Sequence, residues 1–255
     1  MHSMNDYLKR YQIITIYNTY DLFDKNARVR SLLSDNWGMK LRGYSKYFPY
    51  GVLPIDHYDF LCHHILVLDK KQNKVIMGFK SLTKSNCELY GHKLPIKDHL
   101  IMDNIEHYQK HSLGIDQWII NCERRGQDLA YSTGFTVEPS LAKEEKVFLT
   151  DLLFYLFYHF YTTYKIPNIL QAISVRFKLD QRQTRIGFNY LNYENEQLPI
   201  IQTKKYDNVE SYIMTLDDYG FGHEHIQDSM QVKDLWDNRI EFIGEQKLAS
   251  SKKAA

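Results

Sequence analysis

The sequence has no excess of either charge: 32 Lys and Arg stand against 31 Asp and Glu in 255 residues. Without such an excess there is no long-range field to gather nucleic acid or an anionic membrane, so a charged partner has to be met by a local patch. Close cysteine pairs are lacking too. Cys62, Cys87 and Cys122 are odd in number and too far apart in sequence for a zinc or redox motif, so no metal site is expected and a reduced, cytoplasmic setting fits best. The start, "MHSMNDYLKRYQ", has no apolar core for a signal peptide, and no run of about 18 apolar residues is available to span a bilayer. No internal repeat is present.

What the chain does have is aromatic bulk, with 20 Tyr and 13 Phe, enough to fill a core or line a long apolar groove. "YQIITIYN" (11–18) reads as a strand. Apolar residues near helical spacing, Leu22, Phe23, Val29, Leu32 and Leu33, predict a helix closed at Gly38. A loop over about 39–54 leads to a hairpin, Cys62 to Asp69 and Val75 to Leu82, turning at "KKQN". "HLIMDNIEHYQKH" reads as a short helix and "DQWIINCERR" (116–125) as a strand. After a loop, 141–165 is the clearest helix, apolar on most sides and therefore laid against a sheet. Pro167 stops it, "NILQAISV" is a buried strand, "RFKLDQRQTRIGF" a short basic helix closed by Gly187, and "FNYLNYE" a last strand. From Val209 onward the pattern predicts a helical extension, with the low-complexity end "ASSKKAA" disordered. The expected division is a domain over 1–208 and an extension over 209–255.

This order of elements resembles the GCN5-related N-acetyltransferase (GNAT) fold: an α/β (α+β) chain with a central mixed, mostly antiparallel sheet flanked by helices. Particular residues narrow the resemblance to acyl-homoserine lactone synthases and long-chain N-acyl amino acid synthases. "ARVRSLLSDNWG", then "DHYD", then a hairpin ending "GFKSL" is similar to their N-terminal half, and "VRFKLDQRQTRIGF" to their arginine-bearing segment. The likeness spans roughly Tyr11 to Asn195. Arg28, Trp37, Asp56, Asp59 and Lys80 fall on the family's positions. The chain departs from them in having Leu32 for a phenylalanine, Lys80 for an arginine, and Asn121 for the glutamate of a Glu-x-x-Arg element that ends here at Arg124.

The resemblance implies attack of an amine on a thioester, with a backbone N–H near Cys122 stabilising the oxyanion. Asp56 and Asp59 would hold or deprotonate the acceptor, or serve only as a structural edge. His57 would point away between them if the segment is extended. Arg28 and Arg124 would anchor an acceptor carboxylate. Trp37, Lys80, Asn121 and Arg176 complete the expected substrate-binding set. Cys122 has no legible Cys-His-acid partners and is not expected to be a nucleophile. His63 and His64 are adjacent on a strand, so they face opposite sides.

Acetyltransferases that use coenzyme A carry a glycine-rich loop at the start of the long helix, where N–H groups hold the pyrophosphate. "STGFTVEPSLAKEEK" lacks it. An acyl-phosphopantetheine thioester on acyl carrier protein is therefore favoured as donor over acyl-CoA. The basic residues Lys143, Lys146, Lys165, Arg176, Lys178, Arg182 and Arg185 are the expected surface for that acidic partner, and a small amine is the expected acceptor. No tightly bound cofactor is implied. The leading expectation is an N-acyltransferase acting on an amino acid or related amine. A lactone synthase using S-adenosylmethionine is the alternative within this chemistry, and a non-catalytic acyl-binding protein the alternative of another class.

Overall fold

The computed structural model describes residues 8–47, 55–99, 105–203 and 209–244. In chain order the elements are β1 (Tyr11–Tyr17), α1 (Thr19–Phe23), α2 (Ala27–Tyr47), β2 (His63–Asp69), β3 (Lys74–Thr83), α3 (Lys84–Leu89), α4 (Ile96–His99), α5 (Ile105–Arg124) and β4 (Leu129–Val137). There follow α6 (Lys143–Thr163), β5 (Asn168–Ser174), α7 (Leu179–Ile186), β6 (Asn189–Tyr190), β7 (Asn192–Tyr193), β8 (Glu196–Gln197), β9 (Ile201–Thr203) and β10 (Val209–Leu216). The last elements are α8 (His223–Ser229), α9 (Lys233–Asp237) and β11 (Ile240–Ile243).

The main sheet runs β11-β1-β2-β3-β4-β5-β10-β6, with β9 also on β10. It is mostly antiparallel; the parallel pairs are β1 with β11 and β4 with β5. Strand alternation sorts the side chains between two faces. Ile13, Val67 and Met77 sit opposite one another in register and join the core beneath α6. Their neighbours Ile14 and Leu66 turn to the other face and pack with Val29, Leu32 and Leu33 of α2. Farther along that face α5 lays Ile115, Trp118 and Cys122 on Leu129, Leu170 and Ile213. The result is a three-layer stack of helices, sheet and helices.

The hairpin, the long helix, the buried strand after Pro167 and the basic helix are where the sequence places them. Gly187 closes α7 at φ 115°, and a Cβ there would lie 2.3 Å from the Gly220 carbonyl oxygen, so glycine is required.

Several expectations are corrected. Helix α2, started by Asn26 accepting from the Arg28 and Val29 N–H groups, runs through Gly38 to Tyr47. The cost of a helical glycine, about 1 kcal/mol, is outweighed by the packing of Met39 beyond it. "DQWIINCERR" is the end of α5, not a strand: Ile115, Trp118, Ile119 and Cys122 follow the i, i+3, i+4, i+7 spacing of one helix face. The central strand is instead "LAYSTGFTV", β4, in the stretch read as loop. "FNYLNYE" divides into β6 and β7, and β7 forms a separate hairpin with β8. The segment from Val209, expected as a helical extension, opens with β10 inside the main sheet and ends with β11 at its far edge. The "ASSKKAA" end and much of the loop before "DHYD" lie outside the described residues.

Candidate functional site

β4 and β5 pair as parallel neighbours only at Leu129–Asn168, Ala130–Ile169 and Tyr131–Leu170. Past that point the strands part. β4 stays on β3 through a register shift between Gly78 and Lys80, opposite Gly134, whose φ of +70° suits a residue without Cβ. The opening between Thr133–Val137 and Gln171–Ser174 holds a cavity of about 590 Å³. Thr150, Leu153, Phe154 and Phe157 of α6 wall it on one side, and Leu179 and Gln183 of α7 on another. Lys143, Lys146, Arg176 and Arg182 line it too, and no carboxylate does among the described residues. The cavity is thus a long apolar slot with a cationic border. Its walls include strand edges that the partner strand has left, and such edges pair with an extended ligand.

The acid-bearing edge lies across β4. Residues His57–Phe60 form a 3-10 turn, not an extended segment. Asp56 accepts from Tyr58 N at 3.0 Å and Asp59 accepts from Asp56 N at 3.0 Å, a reciprocal cap. Asp59 is fully buried and takes Lys80 Nζ at 2.6 Å and Lys40 Nζ at 3.4 Å. Lys80 also lies 3.5 Å from Asp56, whose side chain remains partly exposed at the rim. His64 donates from Nε2 to the Asp59 carbonyl oxygen at 2.7 Å.

Burial alone would raise the Asp59 carboxyl, but the two ammonium groups reverse this and hold it well below the usual carboxylate range. Burial also opposes the charge on Lys80, and the carboxylates of Asp59 and Asp56 outweigh it, so its pKa rises. Lys40, enclosed completely and beside a second lysine, goes the other way: burial lowers its pKa more than Asp59 restores it. His64 is pushed down to about 4, first by burial and then by Lys40.

The two regions meet at β4. A Cβ on Gly134 would lie 3.3 Å from Lys40 Nζ and 3.4 Å from Lys80. Tyr131, at the last β4–β5 pair, lines the cavity while its phenol feels Lys80 and Asp56; burial is the main cause of its raised pKa.

Of the residues singled out from sequence, Asp56, Asp59 and Lys80 come together here. Lys143, Lys146, Arg176 and Arg182 gather around the cavity, with Lys178 and Arg185 exposed on the adjoining segment. Lys165 follows the C-terminal end of α6, away from Lys143 at its start. Asn121, Cys122 and Arg124 do not belong: they lie at the end of α5, so the Cys122 N–H is in a helix and cannot serve a cleft in the sheet. Asn121 and Arg124 are exposed, and Asn121 accepts from Gln117. Arg28 is exposed and donates to Asn73 at 3.2 Å. Trp37 packs on Phe23 and Phe60 and does not line the cavity. Sequence reading missed Lys40, Tyr131, Gln171 and Gln183. The "STGFT" glycine in a run of β-forming residues was the one local sign of the bulge.

No protein-family model matches the chain, and no curated protein does. Solved structures do. FeeM, an N-acyl amino acid synthase from uncultured soil microbes, is 10% identical with a TM-score of 0.53, over 82% of this chain and 92% of that one. BjaI, a CoA-dependent acyl-homoserine lactone synthase solved with SAM and isopentyl-CoA, is 9% identical with a TM-score of 0.55, over 92% and 95%. At such identities the likeness shows the fold alone: the chain has the mixed, mostly antiparallel sheet flanked by helices of these synthases.

Proposed function

We propose that the protein is an N-acyltransferase that moves a fatty acyl group from a phosphopantetheine thioester to the amine of an amino acid or a related acceptor. The observation that carries this is the parted β4–β5 pair, with an apolar cavity between the strands and the Asp56–Asp59–Lys80 edge directly behind β4. The phosphopantetheine arm is an extended chain with two amides, matched to unpaired strand edges. An acyl tail suits the Leu153, Phe154 and Phe157 wall.

In the reaction the amine nitrogen attacks the thioester carbon, a C–N bond forms and the carbonyl electrons move to oxygen. An N–H of the β4 edge between Thr133 and Val137 stabilises that oxyanion, an effect of about 3 kcal/mol for one such donor. Collapse breaks the C–S bond, and the thiolate takes up the proton the amine gives up. Asp59, saturated by two lysines, is a poor base; its role is to fix Lys80 and the turn. Asp56 is the carboxylate an acceptor ammonium reaches, and it takes the first proton so that the neutral amine attacks.

Acyl carrier protein is the favoured donor. The stretch leading into α6, Glu138–Ala142, has no glycine-rich loop whose N–H groups would hold a pyrophosphate. The four cations around the cavity, with Lys178 and Arg185 nearby, suit one phosphate and an acidic carrier surface.

The test is mass spectrometry of lipid extracts from cells expressing the protein, compared with cells expressing Asp56→Asn. A new N-acyl amino acid, lost in the variant, is expected and names the acceptor. An acyl lactone would transfer the assignment to lactone synthesis. No new species with folded protein present overturns the enzymatic reading in favour of acyl binding alone.

A further inference from the structure

Among the polar groups that line the apolar cavity is a pair of amides that acyl transfer does not use. Gln171 is the first β5 residue beyond the last β4–β5 pair, and Gln183 faces it from α7. Both line the cavity, and they are only 2% and 3% exposed. Gln183 Nε2 donates to Gln171 Oε1 at 3.0 Å. That single bond leaves Gln171 Nε2 and Gln183 Oε1 buried with no hydrogen-bond partner among the described residues. Turning both amides over exchanges the roles but preserves the count: one donor and one acceptor stay unmatched, side by side.

Buried amide groups without partners are costly, and a plain hydrocarbon chain beside them leaves both unsatisfied. A ketone accepts one bond and leaves the acceptor unmatched. A hydroxyl both donates and accepts, so it is the smallest substituent that satisfies the pair.

We infer that the Gln171–Gln183 pair makes the cavity selective for an acyl chain bearing a hydroxyl group. The inference rests on the reading of the cavity as an acyl site. The chain enters from the cationic border formed by Lys143, Lys146, Arg176 and Arg182. Its thioester lies along the parted strands, and the tail passes the apex, where Gln171 sits. The leucine and phenylalanine wall of α6 takes the remaining methylenes, and small χ3 rotations of the two amides admit the hydroxyl.

The experiment measures binding to the full chain of medium-chain S-acyl-pantetheines that differ only by one hydroxyl, placed at successive carbons, by displacement of a fluorescent fatty acid. At one hydroxyl position the protein should favour the hydroxylated probe by about tenfold or more, as sites built around a hydroxyl do. Gln171→Leu and Gln183→Leu should each remove or reverse that preference. Gln171→Met and Gln183→Met repeat the test with a flexible side chain in case a leucine variant does not fold. Equal affinity at every position in the unmodified protein overturns the inference, as does a preference that survives in the variants. A loss of affinity in the variants equal for plain and hydroxylated probes also overturns it, assigning the amides to the pantetheine arm. Hydroxyl preference without transfer to any amine would sink the enzymatic reading and leave this one standing.

Discussion

Lys80 Nζ lies 2.6 Å from Asp59 Oδ2, and the pair is nearly sealed from solvent behind the bulged strand β4. A second lysine, Lys40, reaches the other oxygen of the same carboxylate from α2. Two ammonium groups on one buried carboxylate make Asp59 a structural hub, because its removal strands two charges.

Asp59→Ala is expected to destabilise the fold by about 3–5 kcal/mol, the usual result of deleting one member of a buried pair. Urea unfolding followed by circular dichroism measures it. A loss under about 1 kcal/mol would show that the cluster is hydrated and mobile.

Asp56→Asn should separate function from stability. Asparagine caps the 3-10 turn as well as aspartate does, so the unfolding midpoint should hardly move. Acyl transfer should fall by about 10²-fold through loss of the charge facing the acceptor. Steady-state kinetics beside an unfolding curve decide it; equal damage to both would make Asp56 purely structural.

Lys40→Met replaces the surplus cation with an apolar chain of similar length and leaves Asp59 on Lys80. Stability should be unchanged or rise by about 1 kcal/mol, since apolar replacement of a buried charge is often favourable. A loss matching that of Asp59→Ala would mean that Lys40, not Lys80, neutralises the carboxylate.

Thr150→Trp places a large ring on the α6 wall of the cavity. The longest acyl chain transferred should shorten, read from the product profile by mass spectrometry, at a stability cost of about 1–3 kcal/mol. An unchanged chain-length profile would place the tail elsewhere.

Buried histidines set an acid limit: among the described residues His63, His64, His111, His159 and His225 are all buried and shifted down by burial, His63 and His64 sharing one end of β2. Burial holds His63 down to about 3 and His64 down to about 4, against 6.5 when exposed. The unfolded chain therefore binds protons that the folded one refuses. Their contribution is complete above pH 6.5 and is lost as pH falls from there toward 4 and 3. The urea midpoint should drop between pH 7 and pH 5, and by less in His64→Asn. A flat midpoint over that range would contradict the burial of both rings.

What the sequence determined by itself was local and periodic. The hairpin follows from alternating apolar residues about a polar turn, α6 from its apolar length, and the end of α7 from Gly187. The "DHYD" edge and Lys80 were legible because the acids and their hairpin lie within one short stretch. Tertiary structure decided the rest, because it joins residues that no window contains. Whether "DQWIINCERR" was strand or helix depended on a face to bury, which Leu129, Leu170 and Ile213 supply. Lys40 reads as an ordinary surface lysine until α2 is laid over Gly134 and Asp59. The cavity has no sequence signature, for it is a space between two strands that cease to pair after Tyr131 and Leu170.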